Sequence, residues 1–174
     1  MTRSRQGDNE TLNDIARGIK MMAFDFDGVF TDNRVIVSQD GSEAVLCNRS
    51  DGFGLHAVRS RGVATLVIST EVNPVVSARC QKLNLTCFQG CDDKVQVLQE
   101  QASKLGVTLD EVSFLGNDVN DIECLKMVGL PACVSDSHSA VTGYAIYTTR
   151  LPGGAGAVRE MCDFIVKAKD GKLS

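Results

Sequence analysis

Short apolar runs alternate with polar stretches of helical period along the chain. Residues 19–26 are apolar nearly throughout and end in two aspartates, as in a strand buried on both faces. Shorter runs at 63–68, 86–88, 112–115, 132–134 and 144–148 read as further strands. Between them, apolar positions recur at helical spacing: Phe53, Leu55 and Val58; Val75, Val76 and Ala78; Val95, Leu98, Ala102 and Leu105; Ile122, Leu125 and Met127. A last helix is expected over 155–167, and a helical turn after Asp136. Asn73-Pro74 and Asp92 or Asp93 supply helix starts, and Gly62, Gly106 and Gly129 supply stops. Residues 34–38 and 42–47 flank Gln39-Asp40-Gly41, a hairpin signal. An isolated hairpin is marginal in water, so it should pack on something, another subunit being one choice. Residues 1–18 are polar and read as a flexible tail or linker with a helical turn near 11–17; 168–174 read as a closing tail.

Strands alternating with helices imply βαβ units: an α/β, Rossmann-like parallel sheet with helices on both faces and a β-hairpin insertion after the first strand. One domain over 19–167 holds it. At 174 residues the chain can bury a full core.

Composition narrows the function classes. The net charge of -4 argues against a nucleic-acid binder. No run is long and apolar enough to span a membrane, and the start lacks an apolar signal core. Seven scattered cysteines, two histidines and no C-x-x-C make a zinc cluster a poor reading. Small core residues in a reducing, cytoplasmic compartment fit better.

Chemistry collects at strand ends. In open parallel sheets ligands bind beyond the carboxyl ends of the strands. Asp25 and Asp27, then Ser69 and Thr70, then Asn117, Asp118 and Asp121 each follow an apolar strand, and Lys94 follows the short one at 86–88. Asp25-Phe26-Asp27-Gly28 alone is equally a strand end with two solvated acids. Four apt sets at one sheet edge favour an enzyme. Such acids can hold one Mg²⁺, and hydroxyls with a lysine can hold phosphate oxygens. A carboxylate such as Asp25 can attack phosphorus, and Asp27 can protonate the leaving oxygen and later deprotonate water.

The four sets resemble the motifs of the haloacid dehalogenase-like phosphatase superfamily. Arg49 to Gly54 (R-S-D-G-F-G) and Gly153 to Glu160 (G-G-A-G-A-V-R-E) further resemble its capless subfamily of 3-deoxy-octulosonate 8-phosphate and acylneuraminate 9-phosphate phosphatases. The same module ends some acylneuraminate cytidylyltransferases. The resemblance implies no cap domain, Asp25 as nucleophile and Asp27 as acid/base. It implies Mg²⁺ on the Asp25 carboxylate, the Asp27 carbonyl and Asn117, and phosphate on Ser69, Thr70 and Lys94. It implies a homotetramer whose hairpins form a shared barrel and whose Gly-rich segment helps close a neighbour's site. Thr31, Glu71, Lys82 and Arg159 are the candidate substrate contacts, Lys82 where subunits share the site and Arg159 at a neighbour's site. Asp51 reads first as a helix cap, His56 as structural, and Asp32 as orienting the loop after the nucleophile.

Two positions depart from the subfamily. Asn117 stands where the phosphatases usually have aspartate; an amide oxygen still coordinates Mg²⁺, with one charge less, so affinity should fall unless Asp118 or Asp121 compensates. Ser69-Thr70-Glu71 stands where octulosonate phosphatases tend to have Ser-Gly-Arg. Glutamate repels a substrate carboxylate and accepts from sugar hydroxyls, which favours an acylneuraminate 9-phosphate. Three alternatives stay open. One is an octulosonate 8-phosphate phosphatase. Another is a weakly active or non-catalytic tetramerisation domain of a cytidylyltransferase. The third is a phospho-acceptor signalling domain, disfavoured because Asp27 beside the nucleophile speeds hydrolysis.

Overall fold

In the computed structural model, which describes residues 8–172, the apolar runs become a single six-stranded sheet. Its strands are β1 (Met21–Phe24), β4 (Ala64–Ile68), β5 (Thr86–Phe88), β6 (Val112–Gly116), β7 (Leu130–Cys133) and β8 (Tyr147–Thr148). The two remaining strands, β2 (Ile36–Val37) and β3 (Glu43–Ala44), pair antiparallel as the hairpin after β1. The large sheet runs β5-β4-β1-β6-β7-β8, parallel throughout. The chain leaves β1 in one direction through β4 and β5, then returns to the other side of β1 through β6, β7 and β8. The winding therefore reverses between β1 and β6, where open α/β sheets leave a crevice beyond their carboxyl ends.

Alternation along β1 explains the layers. Met22 and Phe24 point to one face, Met21 and Ala23 to the other, and all four are buried. The first face packs α2 (Asp51–Arg59), α3 (Val75–Leu83) and α6 (Ala157–Lys169) through Leu55, Val58, Val76, Val158, Met161 and Ile165. The second packs α4 (Lys94–Leu105) and α5 (Ile122–Met127) through Leu98, Ala102, Cys124 and Leu125. No inserted cap domain covers the sheet edge; the hairpin is the one insertion between β1 and α2.

Two expectations are corrected. Residues 8–18, read as a loose tail, form helix α1 (Asp8–Gly18), with Ala16 in the core beside α6. Leu12, Ile15 and Ala16 stand at the i, i+3, i+4 spacing of a helix face, inside a segment whose polar composition reads as a tail. The helix ends cap one another: Arg17 Nε donates to the Ala168 carbonyl, and Lys169 Nζ to that of Arg17. The part of the expected tail at residues 1–7 lies outside the described residues. Asp51 does not cap its own helix, which starts after Ser50. Its carboxylate instead accepts from the Arg159 N–H in the first turn of α6, at 3.2 Å. Asp93 does cap α4, accepting from Gln96 N.

Candidate active site

The peptide after β1 places Asp25, and the one after β6 places Asn117, across the crevice where the winding reverses. A cleft of about 310 Å³ opens there, lined by Asp25, Asp27, Asn33, Ser69, Thr70, Asn117, Asp118, Val119 and Asn120. The sheet edge thus brings three of the four expected sets to one cavity. The fourth, Lys94, does not line the cleft and meets it through Asp25. Its Nζ stands 2.8 Å from Asp25 Oδ1 and 2.8 Å from Asp121 Oδ1. All three groups are almost fully buried: 5% exposed for Asp25, 4% for Lys94 and 0% for Asp121.

The electrostatics follow from that burial. Burial first, then the charge of Asp121, pushes the Asp25 carboxyl up to about 7, against the pull of Lys94. Burial disfavours the Lys94 ammonium, but the two adjoining carboxylates outweigh it and raise its pKa. Asp27 is raised by burial and by the charge of Glu71, against a hydrogen bond from Thr31.

Asp121 is part of the frame under the cleft. Its Oδ2 accepts from Asn117 N at 2.9 Å and from Asp118 N at 3.3 Å, which shapes the loop, while Oδ1 holds Lys94. It is fully buried and does not line the cleft. Asp118 lines the cleft and accepts from Val119 N. Ser69 is buried, and its Oγ accepts from Glu71 N; Thr70 is exposed at the rim.

Asn117 Oδ1 is buried with no hydrogen-bond partner. A buried polar oxygen without a partner is costly unless a ligand completes it. Asn117 lines the same cleft as Asp25, and hard oxygen donors of this kind fit a small divalent cation. Among the described residues no group of three or more His, Cys, Asp or Glu is placed to hold a metal. The cleft instead offers the Asp25 and Asp27 carboxylates beside the Asn117 amide.

The four candidate substrate contacts behave differently. Thr31 is fully buried and bonds inward, which removes it from substrate. Glu71 Oε1 accepts from Val72 N and Asn73 N of its own loop, and the residue does not line the cleft. Lys82 lines a separate groove beside the hairpin. Arg159 pairs with Asp163 at 2.8 Å, on the α6 side of another groove. Helical spacing could not reveal where these long side chains end. Asp32 turns toward Arg34, through which it fixes the start of the hairpin. His56 is exposed on α2.

Asn33 and Asp136 were not singled out from sequence. Asn33 lines the cleft with φ 63°, a left-handed conformation that asparagine tolerates. Asp136 follows β7 and accepts from Gly153 N at 2.9 Å. The rule that singled out residues after the other strands applies to it equally.

Residues 75–159 match the haloacid dehalogenase-like hydrolase family. The 3-deoxy-D-manno-octulosonate 8-phosphate phosphatase of Escherichia coli K12 is 32% identical over 159 residues, covering 91% of this chain and 84% of that protein. The crystal structure of the Yersinia pestis enzyme of that name superposes with a TM-score of 0.89 at 31% identity, over 93% of this chain and 88% of that one. That from Moraxella catarrhalis, solved with magnesium, phosphate and the octulosonate, gives 0.89 at 30% identity over 94% of each chain. The strand-end acids, the buried lysine and these likenesses converge: the chain belongs to the haloacid dehalogenase-like hydrolases, among their phosphatases.

Proposed function

We propose that the chain is a Mg²⁺-dependent phosphomonoester hydrolase acting on a sugar-acid phosphate through an aspartyl-phosphate. The carrying observation is a buried Asp25 carboxylate, held 2.8 Å from Lys94 Nζ, at a cleft also lined by Asn117, whose buried amide oxygen lacks a partner. Mg²⁺ held by the Asp25 carboxylate, the Asp27 carbonyl and Asn117 would supply positive charge that screens an incoming phosphate dianion. Lys94 and Ser69 bind phosphate oxygens, with Thr70 at the rim.

Asp25 attacks phosphorus, forming a new P–O bond as the bond to the sugar oxygen breaks. Asp27, entering as the acid, gives its proton to that oxygen, and the alcohol leaves. Asp27, now a carboxylate, takes a proton from water. The hydroxide so formed bonds phosphorus, the Asp25–phosphorus linkage breaks, and inorganic phosphate departs. Both aspartates return to their starting forms. The raised pKa of Asp27 suits a residue that must begin protonated.

The eight-carbon 3-deoxy-octulosonate 8-phosphate is the substrate the relatives favour, ahead of the acylneuraminate 9-phosphate expected from sequence. That expectation rested on Glu71 accepting from sugar hydroxyls, whereas Glu71 folds back on its own loop. Phosphate release across eight- and nine-carbon sugar-acid phosphates ranks the two. Mg²⁺-independent turnover, or normal turnover by Asp25→Asn, would defeat the mechanism.

A homotetramer joined through the hairpin is part of the same proposal. Ile36, Val37 and Leu46 are 60%, 62% and 66% exposed on this hairpin, an apolar surface open to a second copy. Light scattering checks it. A tetramer that releases phosphate from no sugar-acid phosphate would instead favour an accessory module of a cytidylyltransferase.

A further inference from the structure

Thr31 has a buried hydroxyl whose hydrogen bonds are all assigned. Its Oγ1 accepts from Gly28 N at 3.1 Å and from Asn33 N at 3.2 Å. A hydroxyl has one proton and two lone pairs, so two incoming N–H groups leave it only the proton to give. The acceptor facing that proton is Asp27 Oδ1, at 3.5 Å. Thr31 is 0% exposed, so water does not compete. Contacts of this kind are often long in a ligand-free site and tighten with substrate.

The loop that carries Thr31 is braced from behind. Gly154 N donates to the Val29 carbonyl at 3.1 Å, and Gly153 N donates to Asp136 Oδ1. A Cβ on Gly153 would lie 2.0 Å from the Gly28 carbonyl oxygen. One on Gly154, whose φ is +70°, would lie 2.6 Å from Asp32 N. Backbone thus lies flat on backbone over residues 28–32. On the other side an isolated bridge ties Thr31 to Cys47, at the hairpin's exit.

Resting on the phosphatase reading above, we propose that Thr31 is a positioning residue for Asp27. Its hydroxyl proton fixes one Asp27 oxygen, so that the other is presented to the leaving oxygen and then to water. The Gly153–Gly154 segment holds Thr31 at that place. An acid left free to rotate would spend less time aimed at the ester oxygen, and the cost would scale with how much the leaving group needs the proton. Sugar alkoxides need it; p-nitrophenolate, a stabilised anion, does not.

The test measures formation of the aspartyl-phosphate in single turnovers, with a sugar-acid phosphate and with p-nitrophenyl phosphate. Thr31→Val keeps the shape and removes the hydroxyl; Thr31→Ser keeps the hydroxyl. Thr31→Val is expected to slow alcohol release from the sugar phosphate about tenfold or more, part of what general acid catalysis supplies. The p-nitrophenolate burst should change little, and Thr31→Ser should restore the sugar-phosphate rate. Thr31→Ala takes the place of the valine variant if thermal unfolding shows that one misfolded. Equal slowing of both substrates, no slowing, or a serine variant as impaired as valine would overturn the assignment. Turnover would then still require Asp25; turnover persisting in Asp25→Asn would instead count against the phosphatase reading itself.

Discussion

Asn117 lies directly over Gly28. A Cβ on Gly28 would stand 2.0 Å from Asn117 Nδ2, and the glycine sits at φ 78°, a left-handed conformation. The amide whose buried oxygen lacks a partner is therefore seated on a residue with no side chain. Gly28→Ala meets both a backbone penalty and a clash, and the Asn117 side chain must swing away. Mg²⁺-supported phosphate release is expected to fall by at least about tenfold, as a 1 Å misplacement in an active site can cost far more. The fold should survive, because the affected atoms border a cleft. Steady-state kinetics with Mg²⁺ titration, beside a thermal unfolding curve, checks both.

Metal affinity should depend on pH in a direction set by Asp25. Its folded-state pKa is raised to about 7 in the metal-free site. Below that value the carboxyl is protonated, and a cation must displace a proton to bind. Mg²⁺ affinity is thus expected to rise with pH up to about 7 and then level, losing up to about tenfold per unit on the acid side. Asn117→Asp adds a charge to the donor set and should tighten Mg²⁺ at pH 8. It should also push the metal-free Asp25 pKa higher, so the pH dependence steepens toward neutrality. Calorimetric titration of Mg²⁺ into both proteins at several pH values reads out the two effects together.

The sheet, its helices and the strand-end chemistry were legible because periodicity and turn residues are local signals. The pair Asp25 and Asn117 was placed by one rule about strand ends. Glu71 was not, because a long side chain chooses among partners that only the folded surface offers, while Lys82 and Arg159 lie away from this chain's own cleft, where a reach to a neighbour's site would have to come from another copy. Glu71 chose the N–H groups of Val72 and Asn73, and Arg159 chose Asp163. Thr31, expected as a substrate contact, is instead fully buried. Its burial comes from Gly153 and Gly154, more than a hundred residues away, and no local pattern carries that. Helix α1 was legible in part, as a turn near 11–17; only its docking on α6 is non-local.

Lys94 is the counter-charge for two buried carboxylates, so its loss should cost stability as well as activity. Lys94→Met leaves Asp25 and Asp121 facing one another without a cation. Breaking a buried pair in this way costs about 3–5 kcal/mol. The cost should shrink as the pH falls, because protonating one acid removes the repulsion. Urea unfolding at pH 8 and pH 5 measures the difference. Adding Asp121→Asn should recover part of the loss at pH 8 without restoring turnover, since phosphate would still lack its lysine.

Asp51 gives the protein a pH dependence remote from the cleft. It is fully buried, one oxygen accepts from Arg159 N, and the other has no partner. Burial raises its pKa from 3.8 to about 6, against the hydrogen bond from Arg159 N and the charges of Arg79 and Arg159. A raised carboxyl pKa means that the folded state holds its proton more tightly than the unfolded chain. Its contribution to stability is therefore fully present below about 4 and lost as pH rises through about 6. The shift from 3.8 to about 6 corresponds to roughly 3 kcal/mol. Asp51→Asn keeps an oxygen for the Arg159 N–H and cannot ionise. Relative to the wild type it should gain stability between pH 4 and pH 7, by up to about 3 kcal/mol. Any constant offset from the new amide cancels in that difference. Denaturant unfolding of both proteins across the range decides it, and parallel curves would mean that Asp51 is ionised at no cost.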